Sequence, residues 1–313
     1  MKLRNISLLS ALALATFLGV TLPTPTSALA ATTRLVANGG TDVGDCSVAP
    51  CATIQYAVDQ SGPGDTVSVA AGIYNEQVEI TKSQLTIHGA GAGATIVKPA
   101  SATANSSSIF SGSPIAAIFV VDGATGVTIQ ELTVDGQTAA PNGCSPTFIG
   151  VFYRAASGTL SDSHITNIFN PAVAGCQGFL AVFVQSGNGG PNMNSNVSII
   201  DNVIDKYGKN GITANEAGTS VTVTGNVIDG RGPTGLGDAA QNGVQIAFGA
   251  HGKVTGNSIT DHYYTPSDWV ACGILSIYGG GAIGQTKTNT FGGNEVNVCT
   301  AGNGPSSNSP FNP

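Results

Sequence analysis

The chain reads as an all-β protein, a β-solenoid of stacked coils, on three observations. A strand phrase with Asn at its corner recurs: Val197-Ser-Ile-Ile-Asp-Asn202-Val-Ile204, Val221-Thr-Val-Thr-Gly-Asn226-Val-Ile228, Val254-Thr-Gly-Asn257-Ser-Ile259 and Thr286-Lys-Thr-Asn289-Thr-Phe291. The corner asparagines stand 24, 31 and 32 residues apart, a period at which strand units stack into coils. A second phrase, Gly followed by alternating apolar residues, returns at Gly150–Arg154, Gly178–Val182, Gly211–Ala214, Gly243–Ile246 and Gly273–Ser276. The composition agrees: 43 Gly for turns, 41% hydrophobic residues for inward faces, and only 9% charged.

Residues 1–30 read as an export signal. Lys2 and Arg4 are basic, Ile6 to Val20 is apolar, and Ala28-Leu29-Ala30 is a small-x-small cleavage site. Pro23 and Pro25 end the apolar run short of the ~20 residues a membrane span needs. A secreted, extracellular chain without a span in its mature part is therefore expected. Residues 31–300 form the solenoid, and 301–313, rich in Gly, Pro, Ser and Asn, form a loose tail. Ile54, Ala57 and Val58 share a helical face within 52–61, so a short helix is expected to cap the open N-terminal end. Strands follow at 66–69, 77–80 and 85–88, and the coils run from 115 onward.

Six cysteines in an exported chain suggest three disulfides. Cys46 and Cys51 close a small loop, and Cys144–Cys176 and Cys272–Cys299 span about one coil each. No CxxC pair occurs, so metal ligation by these cysteines is the poorer reading. The net charge of −7 becomes −9 once Lys2 and Arg4 are removed, which argues against nucleic acid as a partner.

The stretches Thr53-Ile-Gln-Tyr-Ala-Val-Asp59, Gly72-Ile-Tyr-Asn-Glu-Gln-Val78 and Gly89-Ala-Gly-Ala-Gly-Ala-Thr-Ile96 resemble the opening of pectin methylesterases and many secreted β-helix proteins. With the coils, the resemblance covers roughly residues 52–299 and is to the right-handed parallel β-helix of the pectin-lyase-like superfamily. That fold carries lyases, hydrolases, esterases, epimerases and non-enzymes, so the resemblance implies architecture and not activity. The Gly-x-x-Asp-Phe-Ile-Phe-Gly segment of pectin methylesterases is absent, as is the polygalacturonase motif set.

Chemistry is expected in the variable loops before the Gly-apolar strands, at 136–147, 170–177, 230–242 and 261–272, because insertions at one point of a repeat cluster on one side. Lys209, Arg231, His262 and Tyr263 are the candidate catalytic residues, expected to line one groove. Arg154, Lys206, Asp238, Tyr264 and Trp269 are the candidate substrate-binding residues. This mixture suits β-elimination of a uronate: a cation neutralises the carboxylate, a Lys, Arg or His takes the C5 proton, and a Tyr protonates the leaving oxygen. Trp269 or a tyrosine can stack on a sugar face. Asp205, Asp229 and Asp261 follow the corner phrases at equivalent positions and read as turn residues, or as an acidic ladder that invites a cation. No cofactor is expected; calcium stays open without a clear ligand motif. Two functions therefore stand side by side: a polysaccharide lyase, and a non-catalytic protein binding polysaccharide or cell-surface glycan. The corner asparagines read as a stacked amide ladder. The apolar run 178–184 reads as a strand covered on both faces.

Overall fold

The computed structural model describes residues 30–300 except 138, 188–189, 191–192, 266–268 and 284–287. The expected export signal, apart from Ala30, and the expected tail 301–313 lie outside the described residues. The chain winds through three parallel sheets of nine, eight and nine strands, each coil giving one strand to each sheet in turn. This is the right-handed parallel β-helix that the sequence predicts. No described helix is long and apolar enough to cross a membrane.

One complete coil shows the plan. Ser195–Ile200 lies in the first sheet, Val203–Asp205 in the second, and Asn210–Asn215 in the third. Between the first two sheets the chain turns through a left-handed residue, Asp201 at φ +55 in this coil and Gly225 at φ +74 in the next. The corner Asn then points inward and stacks. Asn202 Nδ2 donates to Asn226 Oδ1 at 3.0 Å, Asn226 to Asn257 at 2.9 Å, and Asn257 to Asn289 at 3.0 Å. Ser163 takes the preceding rung, its N–H donating to Asn202 Oδ1.

The core is a column of Val, Ile and Leu from all three sheets. In the third sheet the recurring glycines are a steric requirement. A Cβ on Gly211 would stand 2.7 Å from the Gly243 carbonyl oxygen, and one on Gly243 would stand 2.6 Å from that of Gly273. The Gly and the apolar residue after it both belong to the inner side, so alternation breaks there. In the strand Phe179–Gln185, Ala181, and not the expected Gly178, holds that place opposite Gly150 and Gly211, so this strand too departs from a simple period of two. Ala181 and Val182 both join the main core, and Leu180 and Phe183 face the other way.

That outer face is buried, as the two-sided apolar pattern requires. Leu180 and Phe183 pack with Ile115, Ala117, Val120, Ile149 and Phe152, and the Phe152 and Phe183 rings stack at 5.0 Å. Part of the cover comes from the segment before the strand Pro114–Asp122, and not only from the loops after the run. Asn105 exchanges two hydrogen bonds with the Ala117 backbone, and the Ile109 N–H donates to Gln185 Oε1 at 3.0 Å.

At the N-terminal end the helix Ile54–Gln60 buries Ile54, Ala57 and Val58. Thr53 caps it by accepting from the Tyr56 N–H, and the Glu76 carboxylate accepts from the Ile54 and Gln55 N–H groups at 2.8 Å each. All three disulfides pair as expected: Cys46–Cys51, Cys144–Cys176 and Cys272–Cys299.

Candidate functional site

The loops between the second and third sheets carry the candidate residues. Two are shorter than the sequence suggests, because the strands Val227–Thr234 and Ser258–Tyr264 run on past a bulge and pair Gly232 with His262 and Thr234 with Tyr264. Lys209, Asn242 and Cys272, each one or two residues before a strand Gly, are expected from the sequence to be equivalent, and the register shifts this by one residue. Asn210, not Lys209, pairs with Asn242 and through it with Cys272.

Two cavities open among these loops. The first, about 380 Å³, is lined by Gln137, Asn167, Phe169, Pro171, Lys206 and Arg231. Its two cations differ in freedom. Lys206 is exposed at a left-handed corner, φ +51. Arg231 is held on three sides: its guanidinium lies 3.8 Å over the Phe169 ring, Nη2 meets Asp238 Oδ1 at 2.9 Å, and Nε donates to the Tyr207 carbonyl at 3.1 Å.

The second cavity, about 260 Å³, is lined by Gln177, Lys209, Asp238, Ala240 and Trp269. The Arg231–Asp238 pair is the wall between the two, with Arg231 facing one and Asp238 the other. Lys209 is fully buried, and its Nζ donates to the Ala240 carbonyl at 2.6 Å. Desolvation lowers its pKa from 10.5 to about 7. A neutral amine that donates one N–H to a carbonyl keeps a lone pair for proton abstraction. Trp269, 44% exposed, also lines this cavity.

The expected single groove is thus two adjoining cavities, and His262 lines neither. It lies fully buried between coils. Its Nδ1 is 2.8 Å from Asn294 Oδ1, and its Nε2 is in short contact with the Tyr207 hydroxyl. A neutral ring with Nδ1–H donating and Nε2 accepting satisfies both partners. Burial lowers its pKa to about 4, outweighing the Asn294 hydrogen bond and the Asp229 charge, which raise it. The unfolded chain therefore binds this proton below pH 6.5 and the folded chain only below about 4, so stability falls as pH drops through that window. The loss is about 3 kcal/mol at most. Denaturant melts at pH 7 and pH 4.5 should show it in the wild type and not in His262→Gln; equal slopes in the two would refute it.

Tyr263 is 40% exposed and Tyr264 is buried against Ala240 and Ala271. Arg154 lies elsewhere, pairing with Asp122 at 2.9 Å and donating to the Ser107 carbonyl. The aspartates form only part of a ladder. Asp205 pairs in register with Asp229, but Thr260 takes the next rung and donates to Asp229 at 2.7 Å. Asp205 is held by His164 at 3.1 Å and by Thr166. No group of His, Cys, Asp or Glu suited to a metal ion occurs among the described residues. Sequence reasoning missed Gln137, Asn167, Phe169 and Gln177, whose residue types carry no signal outside the fold.

Fold and site together define a right-handed parallel β-helix with a cation-lined loop face. No protein-family model matches the chain, and no curated protein matches it. Among solved structures it is similar to the pectin methylesterase from carrot, with 12% identity, TM-score 0.49, and 91% of this chain and 88% of that one covered. It is similar to the pectin methylesterase PemA from Erwinia chrysanthemi, with 11% identity, TM-score 0.44, and 85% and 93% covered. An alginate lyase from Paenibacillus sp. has 16% identity, TM-score 0.34, and 79% and 98% covered.

Proposed function

We propose that the chain is an exported protein that engages uronate-containing polysaccharide and cleaves it by β-elimination. The observation carrying this reading is the buried Lys209 amine, with a pKa near neutrality, one ion-pair wall away from the Arg231 and Lys206 cavity. In this mechanism the uronate carboxylate pairs with Arg231 and Lys206, which stabilise the charge that develops when C5 loses its proton. The sugar ring lies across the Arg231–Asp238 wall with C5–H toward the second cavity, where Lys209 takes that proton. The C5–H electron pair forms the C4–C5 double bond, the C4–O bond breaks, and the leaving oxygen takes a proton from Tyr263 or water. Trp269 stacks on a sugar ring. His262 acts through Tyr207, whose carbonyl also holds Arg231 and Gln241. The three disulfides suit an oxidising exterior.

The test is ultraviolet absorbance of the unsaturated product, with pectate, alginate and glycosaminoglycans as substrates. Product should form at a rate that rises with pH around a midpoint near 7, as Lys209 loses its proton. Arg231→Lys should lose activity by about tenfold or more, since Lys cannot reproduce the stacked fork. A flat trace on every polymer sinks the lyase reading. Retained binding without product would leave a non-catalytic glycan-binding protein.

A further inference from the structure

A third cavity lies away from the loops, on the outer face of the first sheet. It has a volume of about 330 Å³, and its lining includes Ser220, Thr222, His251, Lys253 and Gly281. The strands Thr219–Thr224, His251–Thr255 and Gly281–Ile283 stack in register there, pairing Ser220 with His251, Thr222 with Lys253, and His251 with Gly281. Alternation turns Val221, Val223 and Val254 into the core, so Ser220, Thr222, His251 and Lys253 form two adjoining rungs on the outside. Gly281 takes the next rung without a side chain, and a Cβ there would stand 3.2 Å from His251 Nδ1. The empty position leaves a hollow beside the imidazole, where a ligand can approach the backbone closely.

Charge singles this hollow out. Most other basic side chains of the described residues are engaged. Arg34, Lys98, Arg154 and Arg231 pair with carboxylates, and Lys82 and Lys209 donate to backbone carbonyls. His251 and Lys253 are exposed and enter no ion pair among the described residues. Although the chain carries a net charge of −7, the strands Ser195–Ile200, Thr219–Thr224 and His251–Thr255 contain no Asp or Glu. Their outer side chains are hydroxyls and amides that continue the rungs, Asn196 pairing with Ser220 and Ser198 with Thr222.

We propose that this patch binds a carboxylate of an acidic polysaccharide. Lys253 pairs with the carboxylate, and His251, Ser220 and Thr222 hydrogen-bond to it and to the hydroxyls beside it. An exposed ion pair by itself holds a small anion weakly. A polymer lying along the solenoid axis adds contacts on successive rungs, which stand about 4.8 Å apart and reach Asn196 and Ser198. The patch shares no residue with the loop cavities. It rests on the uronate reading for its ligand class and not on the elimination chemistry.

Affinity electrophoresis in native gels containing pectate, alginate, dextran sulfate or neutral pullulan tests it. Pectate or alginate should retard the wild type, and pullulan should not. His251→Gln combined with Lys253→Gln should weaken uronate binding by about tenfold, two exposed partners at about threefold each. Lys253→Arg should bind as the wild type does. Lys253→Gln combined with Thr86→Lys keeps the net charge and moves the cation five rungs along the same column. It should bind as weakly as Lys253→Gln alone. Melting temperatures should not change, because none of these side chains is buried. Unchanged retardation of the double Gln variant overturns the patch. Full recovery by the relocated lysine also overturns it, because net charge alone then decides. Dextran sulfate binding as strong as uronate binding, with the same response to these substitutions, overturns the carboxylate assignment. If the double Gln variant loses binding while the wild type forms no unsaturated product, the patch stands and the elimination reading fails. If product forms and binding is indifferent to residues 251 and 253, the elimination reading stands and the patch fails. No retardation of the wild type by either uronate polymer removes both.

Discussion

Lys209→Met is expected to stabilise the protein at pH 6 by several kcal/mol while abolishing turnover. The wild-type amine titrates near 7 when folded against 10.5 as its ordinary value, because burial penalises the charge. Between those values the unfolded chain holds a proton that the folded chain has released, so wild-type stability rises with pH across that window. Below about pH 7 both states are charged and the folded state bears the whole penalty. A shift from 10.5 to about 7 corresponds to about 4–5 kcal/mol as an upper bound, reduced by any water that reaches the site. Methionine fills the same volume without a charge. Urea melts at pH 6, 7.5 and 9 decide the matter. The wild type should gain stability between pH 7.5 and 9 and the variant should not. The window stops at pH 9 because the buried Tyr153 and Tyr207, whose ionisation is suppressed in the fold, bring the opposite slope above it. A flat wild-type profile, or a variant less stable than the wild type at pH 6, would show that the amine is better solvated than its burial implies.

The second large effect belongs to the ladder. Asn226→Ala should cost about 4 kcal/mol or more, and Asn289→Ala, at a less buried rung, markedly less. Asn226 Oδ1 accepts from both the backbone N–H and the amide of Asn202, at 3.0 Å each. Its Nδ2 donates to the Ile199 and Thr224 carbonyls at 2.8 and 3.1 Å and to Asn257 Oδ1 at 2.9 Å. The residue is fully buried, so truncation strands several polar groups where water cannot replace the amide, at about 1–3 kcal/mol each. Asn289 is only partly buried, so water can replace more of what its amide gives up. Chemical denaturation of the two variants compares them directly. Equal losses would mean that the amides act singly and the column has no cooperative interior.

The chemistry proposed for the loop cavities is a separate question from this stability. Lys209, Arg231 and Asp238 come from two coils; Lys209 and Ala240 stand 31 residues apart, about one coil, but the period does not announce that the amine is buried against that carbonyl or that Arg231 covers the Phe169 ring. His262 shows the limit of reading residue types alone. A histidine beside two tyrosines in a loop suggests chemistry, yet the continued strand Ser258–Tyr264 turns it inward onto Tyr207 and Asn294. The amphipathic alternation that hides His262 begins only after a bulge, which the amino-acid pattern does not announce.

Features repeated by local geometry were legible in the amino-acid order. The corner asparagines, most of the strand glycines and the cap helix follow from periodicity or from a close backbone approach. Two cysteine pairs follow from a spacing of about one coil, and the third closes a small loop. Each coil meets nearly the same surroundings as the next, so one rule applies along the column. Tertiary structure alone decided the division of the loop face into two cavities and the burial of Lys209. These depend on contacts between non-repeating side chains on different coils. Which of those side chains meet is set by strand register and loop packing, and neither leaves a period in the sequence.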